Sequence, residues 1–437
     1  MESPSCTHEA ARALLSEDDA EGAIRIAGAM LEQNPQDLVA WRLVALCALD
    51  LGDTAGAFKN LRAAAIAQAE ARRPVLALAT VKELERFGGD AKGLVEKIAK
   101  LYGAGSTRVS DIEIEPPPLP SPAALRAWGD DLDRAALLAR GADAMAMAWG
   151  AALAAEQAGE PLPYVPLLSA LDAGGFADLF GALALQVAAP GEAIIEHGGP
   201  GDAMFVVVEG EVVVSRTDGG IEVELARLAP GAFFGEMSLV SNAPRAADVK
   251  AASYAVLLRA DKAAMDALSA RAPKIGDVLV AFCHARMLEN LMRISPVLSP
   301  VPPRRRPDVI ARFGTDYREA GETIIEEGDE GGGLYLVVSG RVRVLKRDGA
   351  DVVQVATLGP GDLFGEISLL MQKPSTATVV AEQSTALLFL ARAEFLDATC
   401  DFPELLKGAF DIAVERETQN NSIMGRPAQS ADHLILV

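Results

Sequence analysis

What the chain lacks narrows the choices first. Cysteine is scarce: Cys6, Cys47, Cys283 and Cys400 stand far apart with no paired spacing. Neither a disulfide framework nor a thiolate metal site is expected, and the four read as buried or idle thiols in a reducing compartment. The four histidines are equally scattered, without an HxxxH or CxxC spacing, so the usual zinc arrangements are not expected either. No uninterrupted apolar run reaches about 18 residues, and Met1 to Asp19 is acidic with no apolar segment of the kind that directs export. The expectation is a cytoplasmic chain, neither exported nor membrane-spanning. Positive charge is also short, since 40 Lys and Arg against 61 Asp and Glu leave a formal charge of −21. A broad nucleic-acid face or an anionic membrane surface needs clustered Lys and Arg, so neither partner is expected. No nucleophile with a base, paired acid and base, or nucleotide-triphosphate loop stands out, and the chain does not read as an enzyme.

A length of 437 residues is too much for one core and suggests about three domains. Residues 1–104 read as helices, with Ala and Leu recurring at three- and four-residue spacing. A period of about 34 residues runs through them: Ala23 and Ala57 are equivalent, Asp19 matches Asp53, and a third, degenerate unit runs from Pro74 to Leu101. The unit with Trp41, Ala45, Gly52-Asp53, Ala57 and Ala64 is similar to a tetratricopeptide repeat, and such repeats leave a concave surface that binds a peptide or helix. An unidentified protein partner on these helices is the expectation, a plain helical cap the alternative. Residues 105–122 include PPPLPSP (Pro116 to Pro122), a semi-rigid spacer. Residues 123–162 return to helical periodicity around Trp128, Leu137, Leu138, Met145 and Trp149, a stripe that reads as core packing.

From residue 163 to 295 the pattern changes to short β-rich runs punctuated by Gly191, Gly198, Gly210, Gly219-Gly220 and Gly231. That punctuation predicts a jelly roll, with a short helix before it and a helical segment, Asp261 to Ile294, after it. The fold class expected is therefore multidomain α+β: an α-helical repeat region followed by two β jelly-roll domains with flanking helices. Within the first jelly roll, Phe234 to Ala247 holds the groups a small cyclic anion would need. Gly235 allows close backbone approach, Glu236 to Val240 is long enough for about one helical turn with unpaired N–H groups, and Arg245 supplies a forked cation suited to phosphate. Glu236 would be repulsive beside a phosphate unless it accepts from a hydroxyl.

These residues, FGEMSLVSNAPRAADVKA from Phe234 to Ala251, resemble the phosphate-binding cassette of cyclic-nucleotide-binding domains, especially those in the regulatory subunit of cyclic-AMP-dependent protein kinase. The resemblance implies that Gly235, Met237 and Ser238 lend backbone contacts, that Glu236 takes the ribose 2′-hydroxyl, and that Arg245 holds the cyclic phosphate. Members that prefer cyclic GMP carry a threonine straight after the arginine. Here that position is Ala246, which implies cyclic AMP as the ligand. It also implies that the helices after the jelly roll swing as ligand enters and supply a cover for the base, for which Phe282 and Arg286 are candidates.

An internal repeat follows at an offset of 130 residues, pairing Gly191 with Gly321, Gly210 with Gly340, and Phe234-Gly235-Glu236 with Phe364-Gly365-Glu366 without a gap. Residues 296–416 are therefore expected to be a second domain of the same kind, and 417–437 a tail ending in an apolar LILV that could add as a strand to a sheet. The copies differ at one informative place: Pro244-Arg245-Ala246-Ala247 becomes Pro374-Ser375-Thr376-Ala377. Without its arginine the second copy is expected to be a structural or docking copy, unless Lys373 substitutes. Arg304 to Arg306 in the connector read as a solvated charge run. No helix-turn-helix can be placed after either jelly roll. The reading is a non-enzymatic cyclic-nucleotide receptor that couples ligand to protein contact. A nucleotide-independent scaffold and a regulatory subunit of a separate kinase are the alternatives.

Overall fold

The computed structural model of the chain describes residues 7–91, 93–110, 127–156, 161–218, 221–236, 245, 247–279, 281–282, 295, 301–302, 305, 308–309, 312–348, 351–371 and 373–423. The proline run 116–122, the apolar end of the tail, Met237, Ser238, Ala246, Arg286, Arg304 and Arg306 lie outside them. By contacts the chain divides into two units: residues 1–196, 202–235 and 247–282 in one, and 197–201, 236–246 and 283–437 in the other.

The first unit begins with paired helices, α1 (His8–Ser16), α2 (Ala20–Gln33), α3 (Leu38–Asp50), α4 (Thr54–Glu70), α5 (Pro74–Arg86) and α6 (Leu94–Tyr102). The 34-residue spacing has a physical cause. Asp19 caps α2 by accepting from Gly22 N, and Asp53 caps α4 by accepting from Gly56 N, so each carboxylate satisfies a donor the helix cannot. A Cβ on Gly22 or Gly56 would meet the capping carboxylate at 2.3 or 2.1 Å, so a larger residue there would make the capping side chain shift. Ala23, Ala27, Ala45, Ala57 and Ala64 are fully buried, which lets neighbouring helices approach closely. In the chain between the two strands of a short parallel pair, β1 (Val109–Ser110) and β2 (Leu162–Pro163), the long α7 (Arg134–Glu156) packs back on α2, α3 and α4. Trp128, just before it, lies on Gly28, where a Cβ would meet its ring at 2.2 Å, and Trp128 and Met145 are buried. Of the stripe, Trp128, Leu137 and Met145 are core, while Leu138 and Trp149 are half-buried.

Helices α8 (Pro166–Ser169) and α9 (Ala173–Ala182) lead into eight strands: β3 (Leu183–Ala188), β4 (Ala193–Ile195), β5 (Ala203–Glu209), β6 (Val212–Asp218), β7 (Ile221–Leu228), β8 (Phe233–Phe234), β9 (Asp248–Ala251) and β10 (Ala255–Asp261), then α10 (Lys262–Arg271). They form two four-stranded antiparallel sheets, in order β3-β10-β5-β8 and β4-β9-β6-β7. Numbered within the domain this is 1-8-3-6 facing 2-7-4-5, the jelly-roll order. β5 is flanked by β10 and β8 and buries Ala203 to Val208, which explains its nearly unbroken apolar run.

In the second unit β11 (Gly314–Arg318), β12 (Thr323–Ile325), β13 (Gly333–Ser339), β14 (Val342–Asp348), β15 (Asp351–Leu358), β16 (Leu363–Phe364), β17 (Thr378–Ala381) and β18 (Thr385–Ala391) repeat the order as β11-β18-β13-β16 and β12-β17-β14-β15. Helices α11 (Glu366–Met371), α12 (Arg392–Asp401) and α13 (Pro403–Ile423) complete the domain. The offset reaches into the core. Val207, Val212, Val249 and Leu257 of one core reappear as Val337, Val342, Val379 and Leu387 of the other. The ring pair Phe205–Phe234, with centroids 5.0 Å apart, reappears as Tyr335–Phe364 at 5.0 Å. Arg305 of the connector is exposed and lies over the Phe402 ring at 4.3 Å.

A buried ion cluster joins the helices of the first unit to its sheets. Arg42 donates from Nε and Nη2 to Glu83, each at 2.6 Å, and from Nη1 to Glu209. Arg12 Nη2 donates to Glu209 at 2.8 Å. Burial alone would push the Glu209 carboxyl up, but the two guanidiniums outweigh it and hold its pKa below the usual carboxylate range. Removing one member of such a buried set costs about 3–5 kcal/mol, because the opposite charge is left uncompensated. The folded value lies below the unfolded one, about 4.3 for Glu, so this stabilisation is complete above that pH and fades as pH falls through the folded value. The stability gap between wild type and Glu209→Gln, measured by urea unfolding, should therefore be several kcal/mol at pH 7 and narrow steadily on acidification below about pH 4. A gap independent of pH would contradict the assignment.

Candidate functional site

The second cassette, described almost throughout, displays the local architecture. β16 ends at Phe364 and Gly365 turns the chain with φ +89°. A Cβ there would meet the Gly333 carbonyl oxygen at 2.5 Å, so the turn admits only glycine. α11 starts directly at Glu366 and runs six residues; the helical turn expected at Glu236 to Val240 falls, beyond Glu236, outside the described residues. Ser375 is pinned by its backbone: its N–H donates to Asp329 O at 2.7 Å and its carbonyl accepts from Gly328 N at 2.8 Å.

In the first cassette, 130 residues earlier, the described site residues are Gly235, Glu236 and Arg245. Gly235 has φ +78°. Arg245 N–H donates to Gly199 O at 3.1 Å, and its carbonyl accepts from Gly198 N at 2.9 Å. The same backbone clamp therefore presents arginine in one copy and serine in the other. Its side chain is fixed as well, since Nε donates to Pro200 O at 3.1 Å. Glu236 and Glu366 are each 2% exposed, Arg245 5% and Ser375 6%, so both copies sequester these groups from water, yet only the first sequesters a cation at this position. In the second, Ser375 Oγ is buried without a hydrogen-bond partner. Lys373 is exposed.

Of the expected site residues, Gly235, Glu236 and Arg245 are thus described, while Met237, Ser238 and Ala246 fall outside the described residues. Phe282, a candidate base cover, is buried edge-on against Phe233 with centroids 4.8 Å apart. Arg416 was not anticipated. From α13 it donates through Nη1 to Glu366 Oε1 at 3.2 Å and also to the Leu363 carbonyl. Burial raises the Glu366 pKa, with Arg416 opposing it. A signal for it existed: the 130-residue offset pairs Arg416 with Arg286. Among the described residues no group of His, Cys, Asp and Glu could hold a metal ion, and no helix is long and apolar enough to cross a membrane.

Two eight-stranded jelly rolls, each with a Gly-Glu turn and a backbone-clamped position after proline, define a tandem jelly-roll class. Residues 185–272 and 317–399 match the family model of the cyclic nucleotide-binding domain, so the chain carries two such domains. It is similar to cAMP-dependent protein kinase regulatory subunits of Blastocladiella emersonii, 32% identical over 48% of this chain and 51% of that one, and of Yarrowia lipolytica, 33% identical over 47% and 51%. Among solved structures, the regulatory domain of Toxoplasma gondii PKA with cAMP is 24% identical, covering 57% of this chain and 91% of that one, with a TM-score of 0.28. The chain spans about half the length of the curated relatives it matches.

Proposed function

We propose that the chain is a cytoplasmic cyclic-nucleotide receptor of the regulatory kind, not an enzyme, in which the first domain takes cyclic AMP and the second does not. The observation that carries this reading is the contrast at one clamped position, a buried guanidinium at Arg245 and a buried hydroxyl at Ser375. A cyclic phosphodiester keeps one negative charge, so a sequestered site for it needs a sequestered cation. Glu236 accepts from the ribose 2′-hydroxyl, Gly235, Met237 and Ser238 offer backbone contacts, and Ala246 leaves no hydroxyl for a guanine amino group. Ligand entry then biases the helical segment after β10, and a protein partner reads the change.

Thermal shift on the full chain tests this. At a ligand concentration 100 times Kd the stabilisation is about 2.7 kcal/mol, a rise of about 5–10 °C for a unit of this size. Cyclic AMP should produce it, cyclic GMP less, and 5′-AMP nothing; no rise with any cyclic nucleotide would leave a nucleotide-independent scaffold. The similarity to kinase regulatory subunits favours a second reading, in which the partner is a separate kinase catalytic chain. That reading requires a kinase that co-purifies and leaves on addition of cyclic AMP.

A further inference from the structure

The first helices of the three pairs, α1, α3 and α5, each send one charged side chain to the same place: Arg12, Arg42 and Glu83. Within the helical repeat alone the charge is unbalanced, with two guanidiniums against one carboxylate. Glu83 uses both oxygens on Arg42 Nε and Nη2. Arg42 Nη1 and Arg12 Nη2 are directed elsewhere, and Arg42 is wholly buried. A guanidinium in that position cannot be left to water, so the repeat requires one carboxylate from outside itself.

The chain supplies it at a strand end. Glu209 is the last residue of β5, held in register opposite Val256 of β10. The turn that follows needs glycine, since Gly210 has φ +78° and a Cβ there would meet the Tyr254 carbonyl at 2.3 Å. The same face carries other contacts: Tyr254 N donates to Glu9 at 3.2 Å, and Lys82 lies over the Phe180 ring at 4.1 Å. On another side the repeat is covered by α7.

We propose that Arg12 and Arg42 form a carboxylate-receiving cleft whose occupant is Glu209 of the chain's own first ligand domain, so that the helical repeat is an internal partner fastened to the end of β5. The face that a repeat of this kind would offer to an acidic peptide is filled in cis. Any displacement of the end of β5 is delivered to α1, α3 and α5, and this holds whichever ligand the domain takes.

Hydrogen exchange by mass spectrometry on the full chain, with wild type, Glu209→Gln and Arg12→Gln/Glu209→Gln, tests the cleft. Glu209→Gln strands one cation and should raise exchange in α1, α3 and α5 by about tenfold or more while β10 stays protected. The double variant leaves the Arg42–Glu83 pair in balance and should recover most of the protection. Should Glu209→Gln fail to accumulate as folded protein, recovery of folding in the double variant is the expected result. A double variant no better than Glu209→Gln, or a single variant with exchange within about twofold of wild type, overturns the proposal.

Discussion

Arg245→Ala should abolish the stabilisation by cyclic AMP. A charge-assisted hydrogen bond contributes roughly 1.5–3 kcal/mol, which is about one to two decades in Kd. The loss here should lie at or beyond the upper end, because the phosphodiester would also sit in a buried site with its charge unmatched. The variant loses some stability of its own, since Arg245 Nε donates to Pro200 O. The quantity to compare is therefore the ligand-induced shift, not the melting temperature. At a concentration that raises the wild type by about 5–10 °C, the alanine variant should move by less than about 1 °C. Arg245→Lys should retain part of the shift, since an ammonium keeps the charge without the forked donor face. An undiminished shift in the alanine variant would remove Arg245 from the site and with it the reason for separating the two copies.

The expectation rests on residues that could be read without coordinates, and the reasons are local. Asp19 and Asp53 are legible as helix starts because an N-cap acts on a donor three residues away. The jelly rolls are legible because most strand connections carry a glycine, and because a second copy at a constant offset leaves no freedom in the alignment. The Gly-Glu turn and the residue after proline are legible for the same reason. Both are short-range constraints, written out twice.

What escaped is held together across long separations. Arg42 meets Glu209 across 167 residues and Arg12 meets it across 197. Alone in its helix or strand, each reads as an ordinary solvated charge, and only packing turns it into a member of a buried set. The placement of α7 escaped similarly. Its periodicity marks an amphipathic helix, but nothing in it says that the apolar face returns to α2 rather than leading on to the strands. Arg416 stands between these cases. Its contact with Glu366 spans 50 residues, yet the internal repeat carries an arginine at the matching place, Arg286.

The second copy offers the converse experiment, a gain of binding. Ser375 sits in the backbone clamp that holds Arg245 in the first copy, with its hydroxyl buried and unpartnered. Ser375→Arg should therefore raise the stoichiometry in calorimetry from one cyclic AMP per chain to two, the new site reaching micromolar affinity. Arg416 can be left in place in the first instance, because the matching position of the first copy is also arginine. The alternative is that the Arg416–Glu366 bridge itself keeps ribose away. In that case Ser375→Arg alone stays at one and only Ser375→Arg/Arg416→Gln reaches two. Removing Arg416 has its own signature. Glu366, already raised by burial, loses the charge that opposes the rise, so the neutral carboxyl is favoured in the fold and the variant should be most stable below the unfolded value of about 4.3, weakening as pH rises through the folded one. If the stoichiometry stays at one in both variants, a missing cation is not what distinguishes the two domains, and the assignment of nucleotide to the first through Arg245 loses its comparative support.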